Sequence, residues 1–359
     1  MFKHQEKKIN TWVKSLVTVS ALSAGLLTSV PASLANTITP EINQYIQSVS
    51  KQYQFDPKEL TKLFKHAHMN PDIIARMNHP YEAKPWAHYR EFFITPARIE
   101  QGVTFWEANR DVLTEAEQRF GVPASVIVAI LGVETFYGQY TGKFSVFDAL
   151  TTLSFNHQPR AEFFKSELTQ YLLMTREQKL DPLALTGSYA GALGMPQFMP
   201  SSYRRYAIDY TEGGSADLIH DSRDAIFSIA NFLKNMGWQV NKPVAFNIKT
   251  HRPLAEQWLS MNAKPMLTLK TLQSRGIARE LTLDKNTPVA IIKLEAEKAF
   301  NPNYWITTNN FRAIMHYNPK INYAMAVYQL SEEIQNAYKQ TITARAKSTS
   351  TRSAQRSTV

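Results

Sequence analysis

At 359 residues the chain is long enough for one large domain or for two to three subdomains, and 44% hydrophobic with 11% aromatic residues excludes a disordered polymer. It contains no cysteine, which excludes disulfides, thiolate catalysis, thiolate zinc sites and a lipid-bearing N-terminal cysteine. The formal charge of +10 suits a polyanionic partner such as cell wall or a membrane surface, while no nucleic-acid motif accompanies it, so no nucleic acid is expected as partner.

Lys7, Lys8 and Lys14 precede an apolar run from Ser15 to Val30, followed by Pro31 and Ser33-Leu34-Ala35. This is the pattern of a secretory signal peptide cut after Ala35. The run is diluted by four Ser and two Thr and falls short of the ~20 residues that span a bilayer. Residues 1–35 carry four Lys and one Glu, so their removal lowers the charge from +10 to +7. An exported, cysteine-free chain fits a periplasmic location.

Helix starts are marked by Thr39-Pro40, Asp56-Pro57, Asn70-Pro71 and Thr95-Pro96, each a capping side chain before a proline. Ile42, Tyr45, Ile46 and Val49 form one apolar stripe. Ile99, Val103 and Trp106 predict a longer helix running to about Arg119, stopped by Gly121. Residues 36–120 therefore read as a helical subdomain.

Residues 121–240 form a second, mostly helical block: Pro123–Glu134, Arg160–Gln178, a glycine-rich loop at Gly187–Gly194, Ser201–Tyr206 and Ser222–Met236. Over 241–322, "PMLTLKTL" and "TPVAIIKLEA" read as short strands of a small β subdomain. A helix over 323–338 closes the fold. Residues 339–359 hold two Lys, three Arg and no acid among Ser and Thr, and read as a disordered basic tail. The class is α+β, mainly α.

Chemistry concentrates at two stretches. "VPASVIVAILGVETFYG" makes a helix apolar on every side, hence buried, with Glu134 at its C-terminal end. Burial and the negative end of the helix dipole both disfavour the ionised form, so the acid is expected to keep a proton that it can donate. The residues alone leave open a helix cap or a partner for a buried arginine. "GSYAGALGMPQFMPSSYRRYA" supplies glycines for close backbone approach, Ser188 and Gln197 as hydrogen-bonding groups, and Phe198 and Tyr203 as stacking surface. The glycine spacing matches neither a dinucleotide fingerprint nor a phosphate loop. An ordinary interhelical loop is the alternative.

"ILGVETFYG" followed by "GSYAGALGMPQFMPSSYRRYA" and "AIFSIANFLKNMGW" resembles the lytic murein transglycosylase B family. The resemblance extends to "KPWAHYREFFI" and "HYNPKINYAMAVYQL" and so spans nearly all of the chain beyond the leader. It implies a lysozyme-like helical core with an N-terminal α subdomain and a small β subdomain. It also implies cleavage of the MurNAc-β-1,4-GlcNAc bond of peptidoglycan without water, leaving 1,6-anhydro-muramic acid ends. Glu134 matches the single catalytic acid-then-base. Ser188, Gln197, Arg160, Tyr89, Tyr317, Asn318, Tyr323 and Phe198 match or adjoin substrate-binding positions. Pro159 stands where relatives have a second arginine beside Arg160.

No cofactor is implied. "DYTEGGSADLIHD" falls where some relatives carry a calcium loop, yet Thr211, Gly213 and His220 occupy positions where acidic or amide ligands are needed, so no metal is expected. His66 and His68 read as a surface pair. The expected substrate is glycan strands and the expected state a monomer, with proteins of wall-synthesis complexes as candidate partners. Two other readings stay open: a hydrolytic muramidase and a non-catalytic peptidoglycan-binding scaffold.

Overall fold

The computed structural model describes residues 38–78, 85–248, 250, 253–295 and 303–356; the expected leader and its cleavage point at Ala35 lie outside the described residues. Helices Pro40–Tyr53, Pro57–Phe64, Pro71–Asn78 and Pro96–Ala108 start at the prolines that the sequence marks. The preceding side chains do the capping: Thr39 Oγ1 accepts the Ile42 amide at 3.2 Å, Asp56 Oδ1 that of Lys58 at 2.8 Å, Asn70 Oδ1 that of Asp72 at 3.0 Å and Thr95 Oγ1 that of Arg98 at 3.1 Å. Each proline occupies the first turn, where a missing N–H costs nothing.

The long helix expected after Thr95 is two helices, Pro96–Ala108 and Arg110–Phe120, broken at Asn109. Asn109 Nδ2 donates to the Phe105 carbonyl at 2.9 Å, and its Oδ1 accepts the Ser222 hydroxyl at 2.8 Å. A short amide side chain that competes for helix carbonyls turns the backbone out of register. Gly121 then ends the second helix with φ +71°.

Helix Ala124–Thr135 lies at the centre; every residue from Ala124 to Val133 is buried. The closing helix packs along it and along Pro96–Ala108. One continuous core joins Ile42, Phe64, Ile127, Phe147, Phe227 and Val327, so helices on both sides of Gly121 share it. Around this core stand helices Trp86–Phe93, Val146–Asn156, Ala161–Gln178, Pro200–Tyr206 and Ser222–Asn235.

A four-stranded antiparallel sheet carries its own small core, which includes Ile248, Leu272, Val289, Ile291 and Ile306. Its spatial order is Ala245–Ile248, Asn303–Thr307, Pro288–Leu294 and Leu267–Thr268. Strand Pro288–Leu294 lies where "TPVAIIKLEA" predicts it. "PMLTLKTL" gives only the two-residue strand Leu267–Thr268 before turning into helix Leu269–Ser274. Thr268 Oγ1 accepts the Thr271 amide at 3.3 Å, and this cap ends the strand.

The closing helix spans Ile321–Arg356, so the disordered tail expected from Lys339 is instead helical through Arg356. Its extension is pinned to the body by Tyr338 stacked on Trp106, with centroids 4.3 Å apart, and by Arg345 paired with Glu107 at 2.7 Å. Those contacts lie far apart in sequence and are invisible in the tail's composition. No single helix among the described residues is long and apolar enough to cross a membrane.

Candidate active site

Glu134 is half-buried one residue before the end of the apolar helix. Tyr323, buried in the closing helix 189 positions later, donates its hydroxyl to Glu134 Oε1 at 2.5 Å. Tyr317 lies parallel to Tyr323, with ring centroids 6.3 Å apart. Burial first, and the Glu134 charge second, push both phenols well above their ordinary range. Tyr323 is therefore protonated, and a donor, near neutral pH.

The helix end is fixed on the other side by Arg98, which the sequence reading did not single out. Its buried guanidinium donates through Nε to the Gly132 carbonyl at 3.0 Å and through Nη1 to the Phe92 carbonyl at 2.6 Å. Burial lowers the Arg98 pKa, partly offset by Tyr137. Tyr137, whose hydroxyl donates to the Arg98 carbonyl at 2.6 Å, closes the clasp. A cation on a carbonyl of the last helix turn counters the dipole close to Glu134.

Thr135 joins this helix to the glycine-rich loop. Its hydroxyl donates to the Met195 carbonyl at 2.9 Å and accepts the Gly138 amide at 2.9 Å. The Tyr317 hydroxyl donates to the Pro196 carbonyl at 2.7 Å. The loop is thus held between the acid-bearing helix and the start of the closing helix. Gly142 shows why glycine is required here: at φ +100°, a Cβ would stand 2.1 Å from the Gly187 carbonyl oxygen.

Within the loop, Ser188 is half-buried, and its Oγ accepts the amides of Ala190 at 3.3 Å and Ala192 at 3.0 Å. Gln197 is half-buried in the left-handed region, φ +51°, with Nε2 donating to Thr141 and Gly194 carbonyls, both at 2.9 Å. Asn318, half-buried, follows Tyr317 in the turn before the closing helix.

Other expected positions lie elsewhere. Phe198 is 2% exposed and packs its ring on Phe232 and Tyr317, so it is core and offers no stacking face. Tyr203 is buried too, its hydroxyl donating to Ala216 and accepting from the Leu218 amide. Tyr89, 1% exposed, packs on Phe93 and lies close enough to Tyr323 to act on its phenol. Arg160 is exposed at the start of helix Ala161–Gln178, its guanidinium 4.4 Å from the Phe163 ring centroid.

The acids next in sequence are engaged. Asp148 accepts the His68 amide at 2.8 Å and Glu162 pairs with Lys165 at 3.1 Å. His68 is thereby a surface partner of Asp148.

In the loop from Asp209 to Asp224 the carboxylates meet local donors. Asp209 accepts the Thr211 hydroxyl and the Gly214 amide, Asp217 the Ile219 and His220 amides, and Asp221 pairs with Arg223. Asp224 accepts the Tyr210 and Asp217 amides. These carboxylates face resident donors, the Arg223 guanidinium among them. Among the described residues no group of three acids or histidines converges on a metal position.

Residues 38–332 match the Transglycosylase SLT domain. The chain belongs to that family. It is 36% identical over 305 residues to membrane-bound lytic murein transglycosylase B of Escherichia coli (strain K12), covering 82% of each chain. It superimposes on the soluble lytic transglycosylase SltB1 of Pseudomonas aeruginosa with a TM-score of 0.77 at 41% identity, covering 83% of this chain and 99% of that one. SltB3 of Pseudomonas aeruginosa, solved with NAG-anhNAM-pentapeptide, matches with a TM-score of 0.71 at 26% identity, covering 81% and 79%. The fold is the lysozyme-like one of these relatives, α+β and mainly α. The protein is a lytic murein transglycosylase, a glycan lyase that binds and cleaves peptidoglycan strands.

Proposed function

We propose that Glu134 performs both proton transfers of a water-free cleavage at the MurNAc-β-1,4-GlcNAc bond. The protonated carboxyl gives its proton to the glycosidic oxygen as the C1–O bond breaks. The N-acetyl carbonyl oxygen of the muramic sugar holds the electron-poor C1. The C6 hydroxyl of the same sugar then attacks C1 and returns its proton to Glu134. A 1,6-anhydro ring results, the acid is restored, and no water is consumed. A hydrolase with two carboxylates needs the second acid to act as nucleophile or to activate water.

The observation that carries this reading is the setting of Glu134: an apolar helix end and a Tyr323 hydroxyl at 2.5 Å, with Asp148 and Glu162 committed elsewhere. The apolar bed favours the protonated acid, while the phenol steadies the carboxylate that exists between the two transfers. Ser188 and Gln197 orient the two sugars flanking the bond, with Asn318 and Tyr317 on the closing-helix side. A binding scaffold has no use for such an acid. Because murein lies outside the cytoplasmic membrane, the chain is exported, with residues 1–35 as the leader, to the periplasm.

Digestion of purified sacculi tests the reading. Muropeptides one water lighter than hydrolase products are expected from the wild type, and none from Glu134→Gln. Equal amounts of reducing ends would make the enzyme a muramidase.

A further inference from the structure

Glycine inside a helix costs stability against alanine, so it persists where something else needs the space. Gly102 in helix Pro96–Ala108 and Gly132 in helix Ala124–Thr135 both give that space to one side chain, Tyr137. A Cβ on Gly132 would stand 2.6 Å from the Tyr137 hydroxyl oxygen, 2.8 Å from Cζ and 3.0 Å from Cε1. A Cβ on Gly102 would stand 2.5 Å from the same hydroxyl and 2.8 Å from Cδ1 of Ile334. Ile334 is fully buried in the closing helix, which packs on both of the others. Tyr137 thus sits at the junction of three helices.

Its ring is not free to swing aside. It is 7% exposed, stacks on Phe105 with centroids 5.7 Å apart, and donates its hydroxyl to the Arg98 carbonyl at 2.6 Å. Its backbone is constrained as well. Phe136, Tyr137 and Gly138 take φ of +51°, +61° and +87° in succession, a left-handed turn that non-glycine residues enter only when the surroundings impose it. The Tyr137 amide donates to the Leu131 carbonyl at 3.0 Å and the Tyr140 amide to that of Thr135 at 2.9 Å, which folds the turn back over the helix end. Glu134 lies between Gly132, where the ring is seated, and this turn. On the closing helix, Tyr323 comes eleven residues before Ile334, about three turns away.

We propose that Tyr137, seated on Gly102 and Gly132, is a positioning residue. It fixes how closely the acid-bearing and closing helices dock, and so holds the Glu134 carboxyl within hydrogen-bond reach of the Tyr323 phenol. The proposal rests on Glu134 as the acid of the reaction.

Gly102→Ala, Gly132→Ala and Tyr137→Phe test it, singly and with the phenylalanine added to each alanine. The readouts are kcat and KM on soluble glycan strands, the thermal midpoint, and the titration of Glu134 by carboxyl-carbon NMR, assigned with Glu134→Gln. Tyr317 and Tyr323, the phenols facing Glu134, keep their protons across that titration. Both alanine variants should lose about tenfold in kcat at constant KM, and the Glu134 midpoint should rise as the phenol's bond to the carboxylate lengthens. Adding Tyr137→Phe removes the atom nearest to a Cβ on Gly102, so it should bring Gly102→Ala back to the level of Tyr137→Phe alone. It should not rescue Gly132→Ala, where ring carbons remain at 2.8 and 3.0 Å. Wild-type kcat and Glu134 midpoint in Gly102→Ala, with only the thermal midpoint lowered, make the junction structural and overturn the proposal. A loss confined to KM overturns it too, as does a missing rescue. Should Gly132→Ala fail to fold, the Gly102 pair decides alone. Full activity in Glu134→Gln sinks the catalytic reading instead. The Glu134 midpoint in Gly102→Ala then still decides the positioning, which stands if the midpoint rises and falls if it is unmoved.

Discussion

Glu134 and Glu167 are both carboxylates on helices packed into the core, and they sit in opposite electrostatic settings. Glu167, 4% exposed, accepts the Ser201 amide at 2.9 Å and the Ser201 hydroxyl at 2.6 Å. Ser201 is in the first turn of helix Pro200–Tyr206, so Glu167 caps a helix start, where negative charge is welcome. Glu134 stands at a helix end beside phenols. Burial alone does not set the two acids apart; the helix end each one meets and the donors around it do.

The comparison breaks most visibly by removing each carboxylate in turn. Glu134→Gln should lose about a thousandfold or more in turnover on sacculi, with its thermal midpoint close to that of the wild type. The outcome to fear is a variant that unfolds, since that would make Glu134 structural. Glu167→Ala should do the reverse. It strips a cap and leaves Ser201 donors buried, costing about 1–3 kcal/mol in denaturant unfolding, while turnover per folded molecule holds.

Tyr323→Phe sharpens the contrast further. Removing the donor should slow turnover by about tenfold, on the order of 1.4 kcal/mol. It should also carry the alkaline limb of the pH–rate profile upward, because the lost hydrogen bond favoured the carboxylate. A limb that stays put would mean the phenol does not act on Glu134.

The smallest effect is the onset of alkaline instability. Burial raises Tyr203 and Tyr328 to about 12 and pushes Tyr317 and Tyr323 well above the usual value of 10.0. Unfolded phenols lose protons that the folded ones retain, so this stability is complete below about pH 10 and declines as pH rises from there. Thermal midpoints recorded between pH 9 and 12 check it, with a slight fall just above pH 10 and a steeper one beyond.

Local chemistry was readable wherever a neighbour in sequence decides the outcome. The caps at Thr39, Asp56, Asn70 and Thr95 needed only the next few residues, and the apolar run before Glu134 could only be a core helix. Contacts across the fold were not readable. Tyr323 could be placed at the site by resemblance, but its bond to Glu134 spans 189 positions. Phe198 looked like a loop aromatic free to stack, and Phe232 and Tyr317 cover it. Arg98 carries no motif; its role appears only when Gly132 and three aromatic rings converge on it. The basic C-terminal stretch misled because its composition hides what Trp106 and Glu107 hold in place.

The claim that one acid suffices because the sugar supplies its own nucleophile is tested most directly by digesting sacculi in heavy-oxygen water. Product ends should carry no label and retain the anhydro ring. Incorporation of one heavy oxygen per cleaved bond would contradict the account.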